Sequence, residues 1–421
     1  MNYIPRHITS SILRGLESMP AVFISGSRQA GKSTLAYKIA KENLNAEYVS
    51  FDDLSLLSFA KSNPEGFLDQ IPKPAVIDEV QMAPELFIHL KQYIDRKRLA
   101  NENPNGDFLL TGSSSVTTIP SLAEALVGRV FLITLLPFSS SEIAQKNDNF
   151  IPMIFREETF VRSHIREAFS LSEAIRKATF PQLSIDTKIN PSDWFNSYIQ
   201  TLLNRDVRNI AQIEKLHELP HILKVMASRT GGLINDADLA RTTQLNQMTF
   251  RRYRSLLSNV FLTFLVPPWF GNIGKRLIKA PKIYFSDTML MIYLLGYEVS
   301  GLKTIDMNIT GMVLENYVAT ELQKQLSVSG DGSLFFFRTG DNKEVDFIIE
   351  KRNGEMVGIE VKNSATITST DFAGLRFLKE HIKERFIRGI ILYPGQDLIP
   401  FDSDMIAMPL YALTDAGQFH N

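Results

Sequence analysis

The sequence predicts an α/β protein that begins with a doubly wound parallel sheet. The first observation is a short apolar run after Pro20, Ala21-Val22-Phe23-Ile24, which is typical of a strand buried on both faces. The second is a set of apolar residues at helical spacing that starts at Leu35. The third is the alternation of strand and helix patterns, separated by turn signals, through about residue 150. This alternation predicts parallel strands that are joined by helices.

A glycine-rich segment joins the first strand to the helix that follows it, and it fits the pattern G-x-x-x-x-G-K-[ST] without departure. Two glycines allow backbone conformations that a Cβ would block, so the amides of residues 30–33 can point at an anion at a helix N-terminus. We expect Lys32 to reach the β- and γ-phosphates of ATP and Ser33 to bind Mg²⁺. The alternative is a glycine turn before an ordinary helix. The predicted nucleotide-binding residues are Gly26, Ser27, Arg28, Gln29, Ala30, Gly31, Lys32, Ser33 and Thr34.

Two carboxylates end the apolar strand Pro74-Ala75-Val76-Ile77, as in a Walker B element. Asp78 would hold the Mg²⁺ shell, and Glu79 would polarise the attacking water. The alternative is a polar strand end without a catalytic role. Further on, Arg129 follows Gly128 and could stabilise transition-state charge in its own subunit or in a neighbour. An arginine packed on the surface is the competing interpretation.

The composition indicates an ordinary globular protein. The 421 residues are 44% hydrophobic and 22% charged, with a formal net charge of −1, and length alone suggests roughly two to four domains. The absence of cysteine excludes disulfides, thiol catalysis and cysteine-bound metals. No apolar stretch is long enough to span a membrane, and the N-terminus does not resemble a signal peptide, so we expect a cytoplasmic protein with no membrane partner.

The region from Arg241 to Lys282 is rich in lysine and arginine and contains neither Asp nor Glu. We expect Asp236 to cap one helix and Asn246 to cap a second, which gives a helix-turn-helix whose second helix can enter a DNA major groove. Glycines and prolines after that helix would form a wing. The alternative is a lid or subunit contact of an ATPase. The predicted DNA contacts are Gln247, Arg251, Arg252, Arg254, Lys275 and Arg276.

The C-terminal part places acids inside apolar strands. Asp346 in Glu344-Val345-Asp346-Phe347 is costly to bury unless a cation compensates it. Asp346 and Glu360 can converge on one metal from adjacent strands, and Lys362 shares a face with Glu360. Glu315, on a preceding helix, could complete a Mg²⁺ shell, because oxygen ligands suit this ion.

These motifs together resemble the prokaryotic AAA+ ATPases that are fused to a winged helix and a nuclease-like C-terminal domain. The order Glu315, Asp346, Glu360-x-Lys362 resembles the PD-(D/E)xK nuclease core. The resemblance implies a catalytic Asp346, Glu360 and Lys362, and it implies that Ser113, with Thr111 and Ser114 as alternatives, senses the γ-phosphate. It also covers the Phe180-Pro181 step, for which packing is the default role.

The resemblance divides the chain into an AAA+-like P-loop domain (1–150), a helical connector (151–215), a winged helix-turn-helix domain (216–300) and a restriction-endonuclease-like α/β domain (301–421). It implies an ATPase that engages DNA and could assemble into homo-oligomers. Metal-dependent cleavage stays open at this point. The alternatives are a DNA-binding regulator switched by nucleotide and a scaffold with an inactive nuclease-like domain.

Overall fold

The structure is a computed structural model of this chain. Within the residues it describes, no helix combines the length and the apolar character that crossing a bilayer requires. The predicted wing residues Lys275 and Arg276 and the alternative sensor Ser114 lie outside the described residues. The described ranges are 3–113, 127–146, 150–158, 160–166, 168–207, 216–271, 279–304, 306–340 and 343–419.

Five parallel strands form the N-terminal sheet, which confirms the predicted fold class. Their order in the sheet is β2-β3-β4-β1-β5. β1 therefore lies between β4 and β5, and the glycine-rich loop opens at the edge where β3 and β4 also end. The strands are β1 (Ala21–Gly26), β2 (Glu47–Ser50), β3 (Ala75–Asp78), β4 (Phe108–Thr111) and β5 (Val130–Leu135).

Helices cover both faces of this sheet because successive strand side chains point to opposite sides. Val22 and Ile24 pack into one core, and Ala21 and Phe23 pack into the other. The glycine-rich loop leads directly into the helix Lys32–Ile39, as predicted. The helices of this part are Thr9–Ser18, Lys32–Ile39, Leu54–Ser62, Pro64–Gln70 and Leu86–Leu99.

The middle of the chain is mainly helical and contains one antiparallel pair of strands among its described residues, β7 (Thr263–Val266) and β8 (Lys282–Phe285). Asn246 caps the helix Gln247–Asn259, as predicted, by accepting a hydrogen bond from the Thr249 amide. The predicted cap at Asp236 is wrong, because Asn235 caps that helix. The helices are Ser140–Ile143, Phe150–Ile154, Leu171–Lys177, Pro181–Ile185, Pro191–Thr201, Leu219–Ala227, Asp236–Thr242, Gln247–Asn259 and Thr288–Leu294.

The C-terminal part consists of a seven-stranded mixed sheet and two helices, Met307–Ser329 and Ala373–Ile382. We call Met307–Ser329 the long helix. The sheet order is β6-β13-β14-β12-β11-β10-β9. The strands are β6 (Ser163–His164), β9 (Ser333–Arg338), β10 (Glu344–Glu350), β11 (Met356–Val361), β12 (Phe386–Tyr393), β13 (Asp397–Pro400) and β14 (Met405–Pro409).

One buried core runs through the middle and C-terminal parts, from Phe150 to Phe419. β6, from the predicted connector, pairs with β13 of the C-terminal sheet. The predicted boundaries at 150, 215 and 300 stay a prediction, and the segments on either side of the last two share this core.

Candidate nucleotide site and acidic centre

The glycine-rich loop takes the backbone conformations that its sequence predicts. Gly26 has φ 147°, and a Cβ at this position would collide with the Leu135 carbonyl oxygen. Gly31 has φ 95°, and Gln29 is also left-handed at φ 61°. The Ala30 amide donates to Ser27 O at 3.2 Å, so this one of the predicted anion-binding amides has a partner inside the loop.

Lys32 is buried at the start of its helix, and its ammonium lies inside the loop. Nζ donates to the carbonyl oxygens of Gly26 at 3.0 Å and Ser27 at 2.9 Å. The charge is therefore held on the concave side of the loop, where a phosphate would meet it.

Asp78, at the end of β3, is 2% exposed and accepts hydrogen bonds from three hydroxyl groups. Ser33 Oγ donates to Oδ1 at 3.2 Å, Thr111 Oγ1 also donates to Oδ1, and Tyr48 Oη donates to Oδ2 at 2.8 Å. Burial, together with the Asp78 charge, raises the pKa of Tyr48 well above its ordinary value. No motif of the sequence marks Tyr48. Tyr48 lies in β2, which pairs with β3, and this pairing brings its hydroxyl to Asp78.

Glu79 follows Asp78 in a left-handed conformation, with φ 56°. Its amide donates to Thr111 Oγ1 at 3.2 Å. Gln81 Nε2 donates both to the Glu79 carboxylate and to Ser113 Oγ, the latter at 3.2 Å. Gln81 thus joins the predicted water-polarising acid to the predicted sensor, a role that the sequence alone does not reveal.

Arg129 does not lie near this cluster. It precedes β5, and its carbonyl accepts from the Ala21 amide at the amino end of β1, whereas the loop follows the other end of that strand. Nε and Nη2 each donate to the Asp95 carboxylate at 2.8 Å. In this structure Arg129 therefore lies at the opposite end of β1 from the loop, and its predicted action on a nucleotide of its own subunit is not supported by this placement. A role toward a neighbouring subunit stays a prediction.

The donor set around Asp78 fits Mg²⁺ with a nucleotide. The Ser33 hydroxyl and one Asp78 carboxylate oxygen are 3.2 Å apart, and both are the oxygen ligands that Mg²⁺ prefers. The loop supplies the lysine and the helix N-terminus that a triphosphate requires.

The four predicted C-terminal site residues lie close together, in a cluster that we call the acidic centre. It contains Glu315 of the long helix, Glu344 and Asp346 of β10, Glu360 of β11 and two lysines, Lys282 and Lys362. Asp346 Oδ2 accepts from the Val361 amide at 2.8 Å, which ties β10 to β11 at this point.

Lys282, from β8 of the middle part, lies among these acids. Its Nζ is 3.1 Å from Glu315, 2.7 Å from Glu344 and 3.8 Å from Asp346, and the side chain is 4% exposed. Burial lowers the pKa of Lys282, but the three carboxylates outweigh that effect and raise it above its ordinary value. Lys362 Nζ contacts the neighbouring Glu360 at 2.9 Å.

Burial is also the main reason why the pKa values of Asp346 and Glu360 are raised. The carboxylates of Glu360 and Glu315 raise the pKa of Asp346 further, and Lys282 lowers it. In Glu360, the contact with Lys362 lowers the pKa against the effect of burial. The acidic centre therefore sets four carboxyl groups against two lysines, and burial favours the neutral form of Asp346 and Glu360.

A metal does not fit this arrangement. The Lys282 ammonium already lies between the carboxylates that were predicted to share Mg²⁺, namely Glu315 and Asp346. Over the described ranges, no group of three or more His, Cys, Asp or Glu side chains is arranged to hold a metal ion. The predicted metal shell of Glu315, Asp346 and Glu360 is wrong for this conformation, because a cation from the protein itself takes its place.

The predicted DNA-contact residues divide into two groups. Gln247, Arg251 and Arg252 are exposed along the helix Gln247–Asn259. Arg254 is mostly buried and donates to both oxygens of Asp236, at 3.0 and 3.2 Å. Arg251 also contacts Asp236, at 3.1 Å. Arg254 therefore joins two helices, and the acid that neutralises it lies five residues before the acid-free region.

Comparison with known families divides the chain into three matched segments. Residues 18–144 match the AAA domain family. Residues 169–300 match a domain of unknown function, DUF8612, and residues 310–413 match another, DUF4143.

The chain is also similar to whole proteins and to solved structures. It is 27% identical over 414 residues to the uncharacterized proteins Mb2031c of Mycobacterium bovis and Rv2008c of Mycobacterium tuberculosis, covering 98% of this chain and 85% of each relative. The Walker-type ATPase PABY2304 of Pyrococcus abyssi matches with 13% identity and a TM-score of 0.41, covering 69% of this chain and 96% of that one. A variant of RuvB from Thermotoga maritima matches with 17% identity and a TM-score of 0.32, covering 62% and 89%.

The AAA match falls on the five-stranded sheet and on the loop, lysine and carboxylate described above. Residues 18–144 are therefore an AAA-type P-loop ATPase domain, the kind of domain that binds and hydrolyses nucleotide.

Proposed function

We propose that this chain hydrolyses ATP with Mg²⁺, that it engages DNA through its middle part, and that its nuclease-like C-terminal domain does not cleave DNA in this conformation. The observation that carries the ATPase proposal is the buried Asp78 with the Ser33 hydroxyl 3.2 Å away, directly beside the phosphate-binding loop. Mg²⁺, when bound there, would draw charge from the phosphates.

The residues of the nucleotide site take distinct roles in this proposal. Lys32 exchanges its loop carbonyls for phosphate oxygens, and Ser33 and Asp78 hold the ion. Glu79 orients and polarises the attacking water. Gln81 donates hydrogen bonds to both the Glu79 carboxylate and the Ser113 hydroxyl. A phosphate that contacts Ser113 can therefore change the position of Glu79. Tyr48 fixes the second oxygen of Asp78.

Two substitutions test the ATPase proposal. Lys32→Ala should abolish retention of ATP with Mg²⁺, because it removes the loop cation. Glu79→Gln should retain ATP but lower kcat by about a hundredfold or more, as expected when a general base is lost. Lys38→Ala is the matched control, since Lys38 lies on the same helix and pairs at the surface with Glu42. Equal ATP binding by Lys32→Ala and the unsubstituted protein would contradict the proposal.

The DNA proposal is supported by the helix Gln247–Asn259 and the antiparallel pair β7 and β8 that follows it. This order of elements is typical of a winged helix, and the exposed Gln247, Arg251 and Arg252 lie along one helix. Arg254 no longer belongs to the expected contacts, because it joins two helices through Asp236.

Fluorescence anisotropy with a labelled duplex at several salt concentrations tests this proposal. Arg251→Ala and Arg252→Ala should each weaken binding and reduce the salt slope by about one, the value expected for one phosphate contact. Arg14→Ala, an exposed arginine of the ATPase part, should change neither quantity. Binding that is insensitive to both helix substitutions would favour a lid or a subunit contact.

The position of Lys282 favours an inactive nuclease-like domain over an active one. Incubation with plasmid and with single-stranded DNA, in Mg²⁺ or Mn²⁺ and with or without ATP, should leave the DNA intact. Cleavage that disappears in Asp346→Ala and in Lys362→Ala would contradict this proposal. It would show that Lys282 leaves the acidic centre in another state of the protein.

A further inference from the structure

Arg6 lies in the segment before the first helix, far from every sequence motif, yet its side chain touches the phosphate-binding loop. It is 6% exposed, and Nη1 donates to the Ala30 carbonyl oxygen at 2.9 Å. We infer that Arg6 positions the loop for nucleotide binding, an inference that rests on the proposed ATPase function.

The contact acts on the peptide between Ala30 and Gly31. In a trans peptide the carbonyl and the following amide point in opposite directions. Since Arg6 holds the Ala30 carbonyl, the Gly31 amide is directed away from Arg6. Gly31 has φ 95°. A glycine by itself has little preference for one orientation of the preceding peptide over another. Arg6 thus supplies the orientation that the glycine alone does not.

The arginine is in turn fixed by the segment 136–142. Nε donates to Glu142 at 3.0 Å, Nη2 donates to the Leu136 carbonyl at 2.6 Å, and the guanidinium lies 4.7 Å from the centre of the Phe138 ring. Glu142 also accepts from the amides of His7 and Ser139, each at 3.0 Å. The three acceptors fit the planar fork of an arginine, and a lysine could not satisfy them together.

The segment 136–142 is held from its other side by the long helix. The Ser140 amide donates to Glu321 at 2.8 Å, and the hydroxyl groups of Ser140 and Tyr317 are 2.7 Å apart. Lys324 Nζ donates to the carbonyls of Phe138 at 2.8 Å and Ala178 at 3.2 Å. The long helix also carries Glu315 of the acidic centre. Arg6 therefore ties the orientation of the loop to a helix that the C-terminal part shares.

This chain of contacts gives Arg6 a second consequence. From Lys324 to Glu315 the long helix spans about 14 Å at its usual rise per residue. Arg6 and segment 136–142 therefore connect the phosphate-binding loop to the helix that also carries Glu315.

Arg6→Lys tests the inference because it keeps the charge beside Glu142 and loses the fork. We expect the KM for MgATP and the Kd for a fluorescent MgADP analogue to rise by about tenfold, the size of one charge-assisted hydrogen bond, with kcat changed much less. Arg14→Lys is the control, because Arg14 lies in the adjoining helix, is exposed and donates to Ser11. Thermal unfolding of each variant separates positioning from stability.

The Kd, the KM and the unfolding temperature together decide the role of Arg6. A higher Kd in Arg6→Lys at an unchanged unfolding temperature supports positioning. A lower unfolding temperature with KM and Kd unchanged would overturn the inference, since Arg6 would then serve packing alone. Lys32→Ala, measured in the same assay, distinguishes the two proposals. If Lys32→Ala binds MgADP normally, the ATPase proposal fails and the role of Arg6 fails with it. If Lys32→Ala loses MgADP binding while Arg6→Lys binds it normally, only the inference about Arg6 fails.

Discussion

The Asp78 carboxylate is buried at the nucleotide site, those of the acidic centre are partly buried, and the two places compensate them in different ways. Asp78 accepts from three neutral hydroxyl groups. Glu315, Glu344 and Asp346 instead surround the ammonium of Lys282. A hydroxyl beside a carboxylate can turn from donor to ligand when a cation arrives, whereas an ammonium already is the cation. The difference explains why similar residue types fit Mg²⁺ at one place and not at the other.

The same difference affects stability. The hydroxyl donors bring no positive charge to Asp78, so a bound ion can supply it. In the acidic centre, Glu315, Glu344 and Asp346 share the buried Lys282, and loss of one partner of a buried ion pair commonly costs about 3–5 kcal/mol. Substitution in the acidic centre should therefore cost more folding stability than substitution at the nucleotide site.

The largest expected effect is that of Lys282→Met, which should lower the free energy of unfolding by about 3 kcal/mol, because it leaves three close carboxylates without their shared cation. Chemical denaturation measures this loss. Lys279→Met, an exposed lysine three residues earlier, should have almost no effect. Addition of Mn²⁺ should recover part of the loss in Lys282→Met only, because the vacated space can then accept a divalent cation.

One further result would contradict the proposed difference between the two sites. If Mn²⁺ without nucleotide raised the unfolding temperature of the unsubstituted protein, and Asp346→Asn removed this effect, the acidic centre would bind metal with Lys282 present. Lys282 would then be an accessory cation and not a replacement for the ion.

Glu142 is another buried carboxylate, and its partner is the arginine Arg6. Burial raises the pKa of Glu142, but Arg6 and the Ser139 amide outweigh it and hold the pKa below its ordinary value of 4.5. A lowered folded-state pKa means that the stabilisation is complete above pH 4.5 and is lost as the pH falls through the lower, folded-state value. Glu142→Gln should therefore make the free energy of unfolding depend less on pH below 4.5. Glu17→Gln, at an exposed site, should leave it unchanged.

The nucleotide site could largely be predicted from the sequence because its parts are adjacent in the chain or end neighbouring strands. The loop needs residues 26–34 in one order, and Asp78 follows from the apolar strand before it. The Gly128-Arg129 pair does not by itself reveal which edge of the sheet it joins. That edge depends on the register of β5 against β1.

The acidic centre and Arg6 show what the sequence could not supply. Asp346, Glu360 and Lys362 were found because strand periodicity places them together. Lys282 was counted with a basic surface, since nothing local shows that β8 lies against β10 of another part of the chain. Arg6 and Glu142 are 136 residues apart, and their contact exists only after the first helix and segment 136–142 have packed.

The smallest expected effect concerns Tyr48→Phe, which removes one of the three hydroxyl groups at Asp78 and keeps the ring. A single lost hydrogen bond of this kind is worth about 1 kcal/mol, so the Kd for MgATP should rise by about fivefold while kcat stays nearly constant. Tyr37→Phe is the control, because the exposed Tyr37 ring stands edge-on to Tyr48. An unchanged Kd would mean that Ser33 and Thr111 suffice to hold Asp78. A loss of kcat as large as that of Glu79→Gln would mean instead that Tyr48 acts on the reacting groups themselves.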